Sequence, residues 1–300
     1  MTLTELRYLV ALADHRHFGR AAAACHVSQP TLSIQIRKLE EQLGVSLFER
    51  NNRQVTATDI GSRLVAEARQ VIAGIGRLKD IVQSAGAILA GPLRLGIIPT
   101  RAPYLLPWLL PPLQQSHRQL DLGLTEDLTD ILLTCMLDYE LDAALVALPI
   151  DTAEFVAIPL FDEPFLLACP IDHPLASLQE ADLNNLEDSG LMLLSEGHCL
   201  RDQAIAICGK AWTDTRFQTA SLTTLRHLVA AGHGCTLLPS LAGAVEHDSR
   251  IALVRLAGRR ARRQIGLVYR RASPRIADYQ ALAAVIRAAL PDCVTATASP

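Results

Sequence analysis

Two cysteines nine positions apart, Cys199 and Cys208, bracket the stretch HCLRDQAIAIC. A thiol reacts with oxidants as its thiolate, so the question is what surrounds each sulfur. Cys199 follows His198, and the residues after it carry apolar members at helical spacing. It would therefore open a helix with Arg201 inside the first turn, where the backbone dipole and a nearby cation favour thiolate. Peroxide attack on such a sulfur yields a sulfenic acid, which condenses with a second thiol to a disulfide. Hydroxide is a poor leaving group, so the site should also hold donors, and hydroxyls and an imidazole would serve. Thr100, Thr129 and His198 each sit just past an apolar, strand-like run, and Asp202 could orient a neighbouring cation. In an unbroken helix residue 208 lies roughly 13 Å along the axis from residue 199 and about half a turn round. A disulfide needs Cα atoms within about 7 Å, so bridging the pair would require the segment to refold. Inert, buried cysteines account for the same residues without any chemistry. His198, Cys199 and Cys208 lack paired zinc-ligand spacing and a fourth ligand, so neither a metal nor a cofactor is expected.

The elements that would position such a site follow from patterning. The chain has 300 residues, half of them hydrophobic, enough for roughly two or three cores of ordinary domain size. A net charge of −3 argues neither for nor against a nucleic-acid partner. No apolar run reaches transmembrane length and MTLTELRYLVALADHRHF lacks the order of a signal peptide, so a cytoplasmic chain with no membrane partner is expected. The seven cysteines are odd in number and form no CxxC, which fits a reducing compartment. Cys25, Cys135, Cys169 and Cys235 fall in or beside expected core elements and read as structural. Beyond residue 92, apolar runs at 93–98, 120–124, 143–147, 165–169, 191–194 and 235–238 alternate with helical stretches. This predicts an α/β plan with largely parallel sheets. Loops 98–100, 126–129 and 195–198 would then converge on one cleft beyond the strand ends.

The first sixty residues have a different character. Leu6, Leu9, Val10 and Ala13 recur at helical spacing, and 19–25 is a short alanine-rich helix. Ser28 can cap a third helix with Pro30 in its first turn, whose buried face is expected to be Leu32, Ile36, Leu39 and Leu43. Gln29, Thr31, Ser33, Gln35, Arg37 and Lys38 lie opposite, side chains suited to base edges and phosphates of double-stranded DNA. That is the profile of a helix-turn-helix recognition helix, although three amphipathic helices occur in many other proteins. A hairpin turned at Asn51-Asn52 would form a wing with Arg50 and Arg53 near phosphate. From Asp59 to Ala85 a seam of Ile60, Leu64, Val71, Ile75, Leu78 and Val82 suits pairing with a second copy, or burial against its own domain. Gly86 to Pro92 reads as a hinge.

The order of residues adds more than periodicity does. AAAACHVSQPTLSIQIRKLEEQLGVSLFER resembles, without a gap, the winged helix-turn-helix signature of LysR-type transcriptional regulators. GHCLRDQAIAIC, with IPTRAPYLLP, PLFDEPFLLA, SLTTLRHLVAAGHGCTLLPSLA and IGLVYRRASP, resembles the hydrogen-peroxide-sensing branch of that family over practically the whole chain. The resemblance implies a winged helix-turn-helix domain over 1–58, a dimerising linker helix and hinge over 59–91, and a regulatory domain over 92–300. The last would consist of two α/β subdomains resembling periplasmic binding proteins, one about 92–163 with 268–300, the other about 164–267. It also implies that Cys199 is the peroxidatic thiol, Cys208 its disulfide partner, Thr100, Thr129 and His198 the peroxide pocket, and Arg270 the arginine favouring thiolate. Oxidation would unwind 199–208 and rotate paired domains. The implied partners are double-stranded DNA, hydrogen peroxide as effector, further copies of the chain as a homodimer or homotetramer, RNA polymerase and a cellular thiol reductant. A LysR regulator of a small organic effector, with both cysteines unreactive, is the alternative. A thiol peroxidase fits poorly, because none of the seven cysteines has a threonine three residues before it.

Overall fold

The computed structural model describes residues 1–51, 54–83, 87–150, 153–182, 190–208, 213–258 and 261–297. Arg53, the side chain of Arg50 and the start of the expected hinge at Gly86 lie outside the described residues. Two units emerge, Met1–Ala85 with Leu137–Glu140, and Gly86–Met136 with Leu141–Pro300. The helix expected as a linker thus groups with the N-terminal unit.

In that unit Thr2 and Glu5 cap each other reciprocally and start α1 (Leu3–His15). His17 accepts from the Gly19 and Arg20 amides, so α2 (Phe18–Ala24) begins one residue before the expected glycine. Ser28 accepts from the Thr31 amide and starts α3 (Gln29–Leu43), with Pro30 in its first turn. Leu32, Ile36 and Leu39 are buried in the N-terminal core, each contributing about 1.5–3 kcal/mol. Leu43, expected on the same face, is 39 % exposed; it lines an open apolar groove with Val45, Ile60 and Leu64 instead. The wing is an antiparallel pair, β1 (Phe48–Asn51) and β2 (Gln54–Ala57). Glu40 ties it to α3 by accepting from the Leu47 and Phe48 amides. The Thr58 hydroxyl accepts from the Gly61 amide at the start of α4 (Asp59–Gln83). Gly61 passes so close to the wing strand that a Cβ would stand 2.0 Å from the Leu47 carbonyl oxygen. Val65 and Ala68 of α4 are buried in the N-terminal core, whereas Ile60, Val71 and Leu78 are 47 %, 50 % and 64 % exposed. One stripe of the helix is therefore used in cis and another is left open.

The larger unit runs β3 (Gly91–Ile97), α5 (Ala102–Ser116), β4 (Leu120–Glu126), α6 (Thr129–Leu137), β5 (Ala143–Leu148), β6 (Phe155–Pro170), β7 (Glu180–Ala181), β8 (Leu191–Leu194), α7 (Cys199–Cys208), β9 (Thr213–Thr219), α8 (Leu222–Ala230), β10 (Thr236–Pro239), α9 (Ser240–Val245), β11 (Ile251–Leu256), β12 (Arg262–Arg270), α10 (Ile276–Ala288) and β13 (Thr295–Ala296). The main sheet has the order β4-β3-β5-β12-β6-β11-β7, with β10 and β13 also on β6. The expectation of largely parallel sheets is corrected here. Parallel pairing among the described strands is confined to β3–β4, β3–β5, β11–β7 and β8–β9. β12 runs antiparallel to both β5 and β6, and β6 runs antiparallel to β10 and β11. Apolar periodicity reports burial and is silent on strand direction. β6 is long enough to serve both halves: residues 155–164 pair with β12, and 165–170 with β10 and β11. The chain crosses at Pro164-Phe165. It returns at Arg262, where β12 enters the first half's sheet, and not near residue 268. Among the described residues, no helix is long and apolar enough to cross a membrane.

Candidate functional site

α7 begins at Cys199, directly after the buried His198, and continues unbroken to Cys208. Cys199 is half-buried and Cys208 buried. The helix holds the two residues about 13 Å apart along its axis. Burial pushes the Cys208 thiol up to about 11, so it is protonated at neutral pH. Burial also lowers His198, leaving a neutral imidazole with one donor and one acceptor nitrogen.

The cation at Cys199 comes from another strand. Arg263 of β12 lies directly opposite Glu163 of β6 in the antiparallel ladder, and its Nε donates to that carboxylate at 2.9 Å. Its Nη1 donates to Thr100 Oγ1 at 3.0 Å and its Nη2 to the Thr100 carbonyl at 3.2 Å. The same guanidinium is close enough to Cys199 for the two to interact electrostatically. Glu163 also accepts from both terminal nitrogens of Arg101, at 2.9 Å from Nη1, and from the Leu241 amide at 3.1 Å. Arg101, Glu163 and Arg263 are all 0 % exposed. Two guanidinium groups share one carboxylate, which leaves one positive charge over in a region where charge is expensive. A thiolate formed at Cys199 would supply the balance. Burial lowers both arginines, and the charge on Cys199 pulls each of them back up.

Two further loops reach the same place. Gly197 has a left-handed φ of 89°, and a Cβ there would meet Leu128 Cδ1 at 2.8 Å, so the 196–198 turn rests on the residue before Thr129. The Thr129 hydroxyl oxygen is buried and has no hydrogen-bond partner among the described residues. Thr100 is thus tied to Arg263, and the turn leading to His198 and Cys199 packs on Leu128, the neighbour of Thr129. Asp202 is exposed, and Arg201 turns back to donate to the Leu194 carbonyl at 3.0 Å.

Arg270 is a correction. Its guanidinium donates to the carbonyls of Met136 and Leu141, the latter at 2.6 Å, and Arg271 donates to those of Ala153 and Phe155. Seven residues along an extended strand is about 23 Å, so Arg270 sits at the opposite end of β12 from Arg263. Arg101, Glu163 and Arg263 were missed by the sequence reading. Their signal was a charge set inside an apolar run, in IPTRAPYLL, LFDEPFLL and RRQIGLVY.

On the N-terminal unit, Ser28, Gln29, Pro30, Thr31, Arg37 and Lys38 are exposed along α3, and Ser33 and Gln35 are half-buried. Of these, Pro30, Thr31, Arg37 and Lys38 lie on the side of α3 away from the buried Leu32, Ile36 and Leu39.

Residues 3–62 match the bacterial regulatory helix-turn-helix protein family of lysR type, and residues 87–291 match the LysR substrate binding domain. The chain belongs to the LysR family. Within that family it falls in the OxyR group. It is 46 % identical over 291 residues to the DNA-binding transcriptional dual regulator OxyR of Escherichia coli K12, covering 96 % of this chain and 95 % of that one. Full-length OxyR from Pseudomonas aeruginosa, solved with a cysteine-to-aspartate substitution, superposes with a TM-score of 0.80 at 40 % identity, covering 100 % and 99 % of the two chains. A hydrogen-peroxide-bound cysteine variant of Corynebacterium glutamicum OxyR gives a TM-score of 0.67 at 37 % identity, covering 96 % and 92 %. These LysR relatives are transcriptional regulators and not enzymes.

Proposed function

We propose that this chain is a DNA-binding transcriptional regulator, controlling oxidative-stress genes, whose switch is oxidation of Cys199 by hydrogen peroxide. The observation that carries the reading is the buried Arg263 guanidinium, which bonds Thr100 and Glu163 and interacts electrostatically with Cys199. The thiolate attacks one peroxide oxygen, the O–O bond breaks, and the departing hydroxide leaves as water after taking a proton. Thr100, the unpartnered Thr129 hydroxyl and neutral His198 are the groups that would bond the two oxygens. Arg263 takes the role first assigned to Arg270.

The Cys208 sulfur then attacks the sulfenic sulfur; the S–S bond forms, the S–O bond breaks, and the hydroxyl leaves as a second water with the Cys208 proton. Cys208 is a buried, protonated thiol while α7 is intact, so this step follows unwinding of the helix. Once Cys199 has left as a disulfide, the buried arginines lose their balancing charge. Oxidation therefore disfavours the reduced arrangement from within, and such differential stability is what moves a two-state equilibrium. The α3 face would read double-stranded DNA, with phosphate contacts from Arg37, Lys38 and the wing. The open stripe on α4 at Ile60, Val71 and Leu78 supports a homodimer or homotetramer. RNA polymerase and a cellular thiol reductant complete the partners of a reversible cytoplasmic switch.

The test is disulfide mapping by mass spectrometry after about one equivalent of hydrogen peroxide, the stoichiometry of the sulfenic route. A dominant Cys199 to Cys208 bridge, absent in Cys199→Ser, is the expected result. Both thiols remaining reduced while other cysteines oxidise would overturn the reading in favour of a small organic effector.

A further inference from the structure

Cys169 and Cys235 take no part in the site described above. β10 pairs with β6 so that Thr236 faces Ala168 and Leu237 faces Leu167. Continued by one residue, the same antiparallel register sets Cys235 opposite Cys169. The backbone of Cys235 turns the other way: its amide donates to the Gly190 carbonyl at 3.4 Å and its carbonyl accepts from the Met192 amide at 2.8 Å. The two cysteines therefore form a non-hydrogen-bonded cross-strand pair. In such pairs the Cα atoms approach to about 4.5 Å and the side chains stand closest, within the roughly 4.4–6.8 Å that a disulfide spans. The Cys169 sulfur also lies 3.9 Å from the Ala252 carbonyl oxygen on β11, the other neighbour of β6.

A histidine completes the arrangement. His173 Nδ1 accepts from the Leu175 amide at 3.2 Å, which places the proton of the neutral ring on Nε2, and Nε2 lies 3.9 Å from Cys235 Sγ. Both cysteines are 0 % exposed, while His173 is half-buried, so this ring borders the pair on one side and solvent on the other.

We infer that Cys169 and Cys235 are a second dithiol, separate from Cys199 and Cys208, that closes to a cross-strand disulfide when hydrogen peroxide reaches it. The Cys169 sulfur gives up its proton and attacks one peroxide oxygen. An S–O bond forms, the O–O bond breaks, and the leaving hydroxide departs as water with that proton. The Cys235 sulfur then attacks the sulfenic sulfur; the S–S bond forms, the S–O bond breaks, and a second water leaves with the Cys235 proton. Two electrons pass from the two sulfurs to one peroxide, and no other reactant is needed. The bond would tie β6 to β10 at both ends of the 170–234 segment that carries α7. The burial of both sulfurs makes this reaction slower than that of half-buried Cys199.

The experiment uses the full chain carrying Cys199→Ser and Cys208→Ser, so its outcome is independent of the proposed switch. After hydrogen peroxide treatment, the protein is alkylated under denaturing conditions, digested without reduction and mapped by mass spectrometry. A cross-linked peptide pair joining Cys169 to Cys235 is expected, lost when either is changed to alanine. As a readout that needs no further variant, phenylarsine oxide, which bridges paired thiols, should protect both residues together from alkylation. The inference is overturned if both remain alkylatable after Cys25 and Cys135 have been oxidised, or if either cross-links only to another cysteine.

Discussion

Replacing Arg263 by methionine separates the contribution of this cation from that of the rest of the pocket. The side chain is fully buried, bonds Glu163 and Thr100, and interacts electrostatically with Cys199. Glu163 keeps Arg101 and the Leu241 amide after the change. The carboxylate is therefore not orphaned, and the stability loss should fall short of the roughly 3–5 kcal/mol of a broken buried ion pair. The effect on chemistry is more specific. A hydrogen bond to a charged group contributes about 1.5–3 kcal/mol, and each 1.4 kcal/mol is a factor of ten. Losing an interaction of that size with the thiolate should slow the reaction of Cys199 with hydrogen peroxide at neutral pH by about 10- to 100-fold. Single-turnover peroxide consumption and iodoacetamide alkylation of Cys199, each followed against pH, would both register the loss. Arg270→Met serves as the control: it removes donors from the Met136 and Leu141 carbonyls and should lower stability while leaving Cys199 reactivity unchanged. A folded Arg263→Met protein that reacts at the original rate would refute the argument, as would an equal loss from Arg270→Met.

Thr129→Val removes a buried hydroxyl oxygen that has no partner, so thermal unfolding should show stability unchanged or raised by up to about 1 kcal/mol. Its peroxide reaction should slow by about tenfold with iodoacetamide alkylation unaffected; equal slowing of both would mean that the hydroxyl acts on the thiol and not on peroxide. Burial lowers the folded-state pKa of His198, so the unfolded chain takes up a proton first as pH falls. Stability should be fully present above about 6.5, the unfolded value, and decline below it toward the lower folded pKa. Urea midpoints measured across that window should fall less steeply in His198→Gln, and an unchanged slope would show that another group is responsible. Gly61→Ala places a methyl 2.0 Å from the Leu47 carbonyl oxygen and should destabilise the N-terminal unit by about 1–3 kcal/mol or more. DNA affinity would weaken with it, and an unaltered melting temperature would show that α4 can shift away at no cost.

The N-terminal helices were legible in the sequence because their determinants are local. Ser28, Pro30 and the Leu32, Ile36, Leu39 stripe can all be read within one stretch of fifteen residues. Leu43 continues the same stripe, yet its exposure depends on what packs beyond the helix end, which lies outside that window. Strand positions were legible as apolar runs, and loops 98–100, 126–129 and 195–198 were recognisable as their ends. Strand direction was not, because β12 inserts between β5 and β6 from about a hundred positions further along the chain.

The sequence by itself determined the family-bearing motifs and the helix that Cys199 opens, since each is a property of neighbouring residues. Tertiary structure alone decided which arginine faces the sulfur. Arg201 is two residues away in sequence and turns elsewhere, whereas Arg263 arrives on β12 through its register with Glu163. A buried charge must find its partners wherever pairing of distant strands brings them. That balance, with Arg101 and Glu163 included, is set by the whole sheet and by no segment of it.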